Sequence, residues 1–261
     1  MKRIVVLMYH ALWSDTAELE RIDPVDRPYA LPLSEFVAQL DALAAQGIPV
    51  LDPAALEQGL PRGGGVVLTF DDGHASNARL ALPQLLARGL RAAFFITTAH
   101  TDQHAGFCTS AQLRELAAAG MVVGAHGHTH RFLSDLDDTE LHAEMRDSQR
   151  VLCAVLGAPA RQMSFPGGRS DARCLGAARA AGFDVLYGSA VGALRPGSPL
   201  PSAALARIAI RPGLPPPMFA AYARAAAGPM VRSRALALAK ALAKIALGNE
   251  RYHRLYARLR S

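Results

Sequence analysis

Two adjacent aspartates follow the most strand-like stretch of the sequence. Asp71 and Asp72 come directly after "GVVLTF" (65–70) and precede a glycine. Neighbouring side chains of a strand point to opposite faces, but past the strand end both carboxylates could face one pocket. A cation there would cancel their repulsion, with one carboxylate as its ligand and the other free to accept a proton. The alternative is an ordinary turn, because Asp and Gly are common turn residues.

Three histidines within five residues form a second candidate cluster. "HGHTH" (126–130) contributes His126, His128 and His130 and follows a strand-like segment. Imidazole is the commonest metal ligand, and His126 and His130 would share one face if this segment were a helical turn. Together with Asp72 they would leave positions open for water and substrate, the pattern of a catalytic metal site. The alternative is a solvated polar loop.

Strand-like and helix-like segments alternate through most of the chain and must position these clusters. This alternation predicts a parallel sheet covered by helices, either a barrel or a doubly wound sheet. The carboxyl ends of its strands would bring DDG, HGHTH and "PGGR" (166–169) to one rim. The predicted strands are 3–9, 49–52, 65–70, 91–97, 121–126, 162–165, 183–188 and 205–210, and the predicted helices are 33–47, 76–89, 110–120, 137–157 and 171–181.

The three motifs together resemble a known family. "TFDDG" (69–73), "HGHTH" (126–130) and "SFPGG" (164–168) have the order and spacing seen in the polysaccharide deacetylases, carbohydrate esterase family 4. The resemblance implies an α/β fold, a distorted (β/α)7 barrel over residues 1–213. It also implies a hydrolase that uses a divalent metal ion, expected to be zinc, to remove an N-acetyl group from an amino sugar in a glycan or glycan precursor.

The resemblance also implies roles for individual residues. Asp71 would be the general base, and the metal ligands would be Asp72, His126 and His130. The N–H of Gly167, which follows Pro166, is expected to stabilise the oxyanion formed during amide hydrolysis. His128 falls at a variable position and is expected to lie behind the ligands or at the surface.

The sequence departs from the family pattern in three places, one of which is the missing tryptophan of the fourth motif. Ser164 stands where an arginine usually orients the catalytic aspartate, and Arg169 is the expected substitute. The late histidine that usually serves as general acid is missing, so His10, His74 or a relay through Asp71 would have to protonate the leaving amine. These departures leave two alternatives open: an O-acetyl esterase or deformylase acting on a related sugar, and an inactive carbohydrate-binding barrel.

The formal net charge of +6 resides in the C-terminal part of the chain. Residues 224–261 contain nine Lys or Arg and one acid, within a predicted basic helical extension at 214–261. "RYHRLYARLR" (251–260) has the spacing of an amphipathic helix, which could lie on an anionic membrane or pack on the barrel with a solvated basic face. No nucleic-acid recognition motif accompanies the charge, so nucleic acid is not an expected partner.

Composition sets the remaining expectations. The chain has 261 residues, of which 51% are hydrophobic, enough for one large α/β core. Its start lacks the long apolar run of a secretory signal, so a cytoplasmic location is expected, with peripheral membrane contact through the extension. The three cysteines are widely spaced and odd in number, which argues against a disulfide framework and suggests thiols that are packed or inert.

Overall fold

The computed structural model describes residues 2–235. Seven parallel strands form one sheet in the spatial order β8-β7-β6-β5-β4-β1-β9, and β2 and β3 pair separately. The strands are β1 (Ile4–Tyr9), β2 (Leu12–Trp13), β3 (Leu31–Pro32), β4 (Gly65–Phe70), β5 (Ala93–Ile96), β6 (Val122–Ala125), β7 (Gln162–Ser164), β8 (Val185–Tyr187) and β9 (Ile208–Ala209). The helices are α1 (Thr16–Arg21), α2 (Leu33–Ala45), α3 (Leu82–Leu86), α4 (Ser110–Ala118), α5 (Asp138–Leu156), α6 (Ala172–Ala180) and α7 (Pro216–Ala223).

The centre of the sheet is buried on both faces. Every residue of β1 and β4 is buried, and the two strands run in register from Ile4 opposite Gly65 to Tyr9 opposite Phe70. Continuous apolar runs of this kind are typical of parallel strands covered on both sides. They place the ends of β1 and β4 together at the rim predicted to carry the chemistry.

The chain before β9 draws the two edges of the sheet together. Leu205 donates its N–H to the carbonyl of Leu186 in β8 at 2.7 Å. Three residues later, Ile208 pairs with Leu7 of β1. Residues 205–209 therefore contact both edges and curl the sheet into a half-barrel. This arrangement confirms the predicted distorted barrel.

Two of the predicted elements differ in the structure. The predicted strand 49–52 is reduced to one bridge between Val50 and Val66. The predicted helix 76–89 begins as a π-helical turn (Asn77–Ala81) and becomes the short α3, with Pro83 in its first turn. Proline lacks the N–H that a regular helix would need at that position, which accounts for the irregular start.

The described part of the C-terminal extension packs on the barrel. Phe219 and Ala223 of α7, and Met230 after it, belong to the main hydrophobic core. The predicted amphipathic segment 251–260 lies outside the described residues, so its contact with a membrane stays a prediction. Within residues 2–235, no helix combines the length and the apolar character that crossing a bilayer requires.

Candidate active site

A turn directly after β4 brings both aspartates into the barrel mouth. Asp71 continues the strand pairing, with its N–H donating to the carbonyl of Tyr9 at 2.9 Å. Asp72 then adopts a left-handed backbone with φ +74°. This conformation costs an L-residue roughly 1–2 kcal/mol, and Asp is among the residues that tolerate it. Strand alternation no longer applies, and both carboxylates are buried at the rim.

Asp72 lies together with two of the three predicted histidines. Its Oδ1 is 3.3 Å from Nε2 of His126 and 3.2 Å from Nε2 of His130. Ligands that surround zinc tetrahedrally at about 2.0–2.1 Å lie about 3.3 Å from one another. The spacing and chemistry of these three groups therefore fit a divalent metal ion.

A hydrogen bond orients the buried histidine of this cluster. Nδ1 of His126 lies 2.9 Å from the carbonyl oxygen of Ser164. Because a carbonyl only accepts hydrogen bonds, Nδ1 donates its proton to Ser164, and Nε2 is the ring nitrogen that faces Asp72. The side chain of His130, by contrast, is 39% exposed, so the cluster opens to solvent on that side.

The segment that carries the histidines is an irregular loop, and the predicted helical turn at 126–130 is wrong. Gly127 and His130 both have left-handed backbones, with φ of +72° and +64°. The two imidazoles meet because the loop reverses between them. The i, i+4 spacing therefore selected two histidines whose side chains do lie together, although they do not share a face of a helical turn.

Glu144 of α5 holds this loop from beneath. Its carboxylate accepts the N–H of His128 at 2.6 Å, the N–H of Thr129 at 3.0 Å and the Thr129 hydroxyl. Glu144 is itself buried, so these bonds satisfy a charge that would otherwise be costly to bury. The loop between the two histidines is thus tied to a long helix.

The opposite edge of the loop is bonded to the segment after β5. Thr98 and Ala99 donate their N–H groups to the carbonyls of Gly127 and His128 at 3.3 and 2.9 Å. Nδ1 of His128 also lies 2.9 Å from the Thr98 hydroxyl. His128 points away from Asp72 and helps to hold the loop, in agreement with its expected place behind the ligands.

The other aspartate, Asp71, is held by an arginine that the sequence analysis missed. Both terminal nitrogens of Arg207 donate to the two Asp71 oxygens at 2.7 Å, and one also donates to the Ser164 hydroxyl at 2.7 Å. Arg207 lies between residues that bridge β8 and β1, and it is 1% exposed. Its sequence context, "LARIAI", contained the signal, since an arginine within a buried apolar strand needs a partner.

Arg169, the expected substitute for this arginine, lies elsewhere. Its guanidinium pairs with Asp135 at 3.0 Å and stands over the ring of Phe132 at 4.8 Å. The arginine on Asp71 is therefore Arg207, and the expectation for Arg169 was wrong. Arg169 is not placed against Asp71, because it follows the turn Pro166–Gly168 on the outer side of the rim, where it pairs with Asp135.

Charge and hydrogen bonding set the ionisation of the two carboxyls. Burial alone would raise the pKa of Asp71, but the charges of Arg207 and His126 outweigh burial and hold it below its ordinary value. Burial also opposes ionisation of Asp72, yet hydrogen bonds from His126 and His130 hold its pKa well below the ordinary value. Both carboxyls are therefore carboxylates at neutral pH.

Two further histidines predicted near the site do lie beside it. His10 follows β1 and packs against Tyr29, with ring centroids 4.8 Å apart. Burial lowers the pKa of His10, although the charges of Asp72 and Asp71 act in the opposite direction. His74 stacks on Phe107, and its Nε2 is 3.7 Å from Oδ2 of Asp72.

The turn Pro166–Gly168 follows β7 at the same rim. Gly167 has φ +62°, and a Cβ on it would lie 2.6 Å from the ring of Phe132. Pro166 approaches the metal-site loop, since a Cβ on Gly127 would lie 3.4 Å from its Cγ. Only glycine fits at position 167, and the turn that carries it adjoins the candidate metal ligands.

Comparisons with known proteins point to one family. A protein-family model described as polysaccharide deacetylase matches residues 59–186, a range that contains DDG, HGHTH and PGG. The curated protein "Putative polysaccharide deacetylase YxkH" of Bacillus subtilis (strain 168) is 27% identical over 225 residues, which are 84% of this chain and 76% of that protein.

Two solved structures resemble the whole barrel. IcaB from Ammonifex degensii superposes with a TM-score of 0.72 at 27% identity, covering 86% of this chain and 98% of that one. The Streptococcus pyogenes deacetylase PplD, solved in complex with acetate, gives a TM-score of 0.71 at 25% identity, covering 82% of this chain and 95% of that one.

Proposed function

We propose that the chain is a member of the polysaccharide deacetylase family, whose model and relatives it resembles, and that it is a metal-dependent hydrolase that removes an N-acetyl group from an amino sugar in a glycan or glycan precursor. The observation that carries the proposal is one juxtaposition. Asp72, His126 and His130 gather like metal ligands directly beside Asp71, a buried carboxylate that is not one of them.

The proposed ion is zinc. Two imidazole nitrogens and one carboxylate oxygen form a donor set that zinc accepts in hydrolases, with coordination positions left over for substrate and water. When bound, such an ion would supply Lewis acidity to the acetyl carbonyl and to water. His126 is held in the required tautomer by Ser164, and His130 borders the solvent-exposed side where a substrate enters.

Asp71 is the proposed general base. It is ionised at neutral pH, and Arg207 fixes its plane through two hydrogen bonds. As water attacks the acetyl carbon, its proton passes to a carboxylate oxygen of Asp71. A base held in one orientation loses little entropy when the reaction begins.

Two other groups complete the proposed reaction. The N–H of Gly167 would donate a hydrogen bond to the oxygen that becomes negative as the tetrahedral carbon forms. The proton that Asp71 has taken from water must then reach the departing amine, and His10, on which both aspartates act electrostatically, is the proposed carrier between them. The acetyl C–N bond then breaks, leaving acetate and a free amine.

Metal content and acetate release test this proposal together. Purified parent protein should contain about one zinc or similar divalent ion per chain and release acetate from a panel of N-acetylated oligosaccharides. The His126→Ala/His130→Ala variant should lose both properties while keeping its circular dichroism spectrum. A parent that takes up no metal after reconstitution with zinc would overturn the proposal.

The alternatives predict different results on the same panel. An O-acetyl esterase or deformylase would bind metal but act only on esters or formamides. For a sugar-binding barrel without turnover, the Asp71–Arg207 pair would be a structural ion pair. Asp71→Asn separates an enzyme from a binding protein. In an enzyme, this variant keeps its metal and loses turnover. In a binding protein, the parent has no turnover and the variant keeps the sugar affinity of the parent.

A further inference from the structure

Two buried polar atoms at the exit of β1 lack hydrogen-bond partners. Nδ1 of His10 and Oδ1 of Asn77 form no hydrogen bond to any group within residues 2–235. His10 is the proposed proton carrier of the reaction, and Asn77 is completely buried. Polar atoms in protein interiors are normally paired, so two unpaired atoms on neighbouring side chains indicate a small ligand between them.

A hydrogen bond fixes the side-chain amide of Asn77 against His10. Nδ2 of Asn77 donates to the backbone carbonyl of His10 at 2.9 Å. Because a carbonyl oxygen only accepts hydrogen bonds, the amide nitrogen must face it, and the other amide atom must be the oxygen. The unpaired atom of Asn77 is therefore an acceptor, which requires a donor as its partner.

The backbone of Asn77 is held on both sides. Its N–H donates to the carbonyl of His74 at 2.9 Å, and its carbonyl accepts the N–H of Leu82 at the end of the π-helical turn. Turns of this kind are rare and occur frequently at functional sites. Beside it, the hydroxyl of Ser76 accepts the N–H of Leu12 at 3.0 Å. Two neighbouring side chains of one turn thus hold the segment that follows β1.

The ring of His10 has a fixed neighbour on its other side. It packs against Tyr29, whose hydroxyl accepts a hydrogen bond from Arg211 at 2.8 Å. Arg211 also stands over the Tyr29 ring, 4.4 Å from its centroid. This packing limits the movement of the imidazole, but it does not decide which ring nitrogen carries the proton. That choice depends on the hydrogen bonds that the ring nitrogens make.

We propose that Asn77 is a positioning residue that sets the tautomer of His10 through one bound water molecule. The inference rests on the proposed function, in which His10 carries a proton to the departing amine. The water accepts the N–H of His10 Nδ1 and donates to Oδ1 of Asn77, so both buried atoms gain a partner. Nε2 of His10 then keeps its lone pair, takes the proton from Asp71 and passes it to the amine nitrogen as the C–N bond breaks.

The tautomer of His10 can be measured directly. In purified protein labelled with nitrogen-15 at histidine, the chemical shifts of the two ring nitrogens show which of them carries the proton. The signals of His10 are those that disappear in His10→Gln. The parent should carry the proton on Nδ1, and Asn77→Leu, which has a similar size but no acceptor, should lose this preference. A parent with the proton on Nε2 would overturn the inference, whether or not any Asn77 variant folds.

Two further variants show whether the acceptor of Asn77 sets the tautomer. Asn77→Asp keeps an oxygen at this place and should keep the proton on Nδ1 of His10. Ser76→Ala removes a hydrogen bond to the same segment but leaves the acceptor, so its tautomer should match that of the parent. If Ser76→Ala changes the tautomer as much as Asn77→Leu does, anchoring of the segment sets it and the inference is wrong.

Kinetics separate this inference from the proposed function. With N-acetylated oligosaccharides, Asn77→Leu should lower kcat about 10-fold and change KM less than 2-fold, because its effect reaches the reaction through His10. Asn77→Asp should retain more of the parent's kcat than Asn77→Leu does. An active enzyme in which Asn77→Leu keeps the parent's kcat and tautomer would overturn the inference alone. A parent that releases no acetate would count against the proposed function, and the nitrogen-15 shifts would still test the contact between Asn77 and His10.

Discussion

Arg207 and Asp71 are 136 positions apart in the chain and form a two-point ion pair inside the barrel, with both N···O distances at 2.7 Å. The pair connects the last strand of the sheet to the turn that carries the proposed base. Because Ser164 donates to Asp71 at 3.1 Å and accepts from Arg207, three elements fix one carboxylate. The family's usual arginine position is thus filled by a serine that supports an arginine from elsewhere.

Replacing this arginine should separate metal binding from turnover. Arg207→Met is expected to lower kcat at least about 100-fold, because Asp71 loses its fixed orientation, while zinc content stays near one per chain. Breaking a buried pair on one side also costs about 3–5 kcal/mol of folding stability. Thermal unfolding of the same samples shows whether the variant is folded at the assay temperature.

A second substitution that restores a guanidinium shows whether Arg207 orients Asp71 or only stabilises the fold. In Arg207→Ala, adding Ser164→Arg returns a guanidinium to Asp71 from the end of β7, and part of the lost kcat should return. Arg169→Met serves as a control, since Arg169 pairs with Asp135 and stands over Phe132 on the outer side of the rim. An Arg207→Met protein with the kcat of the parent would show that the pair does not position the base.

Glu144 should control metal affinity without touching the metal. Glu144→Ala removes the acceptor of two loop N–H groups, so the loop between His126 and His130 should lose its fixed shape. Loss of such supporting bonds typically weakens metal binding about 10–100-fold. Competition with a zinc-binding dye measures the change directly.

The same helix offers a matched control for Glu144. Glu140 lies one turn earlier, is exposed and pairs with Arg131 at 2.8 Å. Glu140→Ala should leave zinc affinity within about 2-fold of the parent, as expected for a surface ion pair. If both variants bind zinc as tightly as the parent does, the loop does not depend on Glu144.

Gly167→Ala should damage the site by a steric route. The added Cβ would stand 2.6 Å from Phe132 in a backbone conformation that disfavours L-residues, so the turn must shift and kcat should fall at least about 10-fold. Gly176→Ala in α6, where a Cβ meets nothing within 4 Å, should retain full activity. Adding Phe132→Ala relieves the clash but not the backbone strain, and activity should recover only in part.

The cysteines provide a test of the fold that is independent of activity. Cys108 and Cys174 are buried, as expected for packed thiols, whereas Cys153 is exposed, so that it is inert stays a prediction. Burial raises the pKa of the Cys108 thiol to about 12, leaving almost no thiolate at pH 8. A chromogenic disulfide reagent should therefore modify one thiol quickly in native protein and three in denaturant. Fast modification of Cys108 in native protein would contradict the packing described here.

The sequence predicted what is local and missed what depends on closure of the sheet. Asp71 and Asp72 are neighbours, the two histidines lie four residues apart, and each group follows a recognisable apolar strand. Their meeting at one rim follows from parallel topology alone. Arg207 reaches Asp71 only because residues 205–209 bridge two strands that no local pattern pairs, and β9 itself is two residues long.

Backbone detail was equally out of reach of pattern analysis. Left-handed backbones are uncommon outside glycine, and although Asp and His adopt them more often than most residues do, nothing in the sequence marks Asp72 and His130 for them; tertiary contacts such as those of Glu144 hold the loop in place.

Arg207 is also the last residue of the site to leave the ribosome. A nascent chain that has emerged only as far as β7 already carries the proposed base and every candidate metal ligand. Asp71 then has no guanidinium opposite it, and burying an unpaired carboxylate is costly. The proposed base therefore acquires its buried partner only when the final strand has joined the sheet, so completion of the site depends on the segment that closes the barrel.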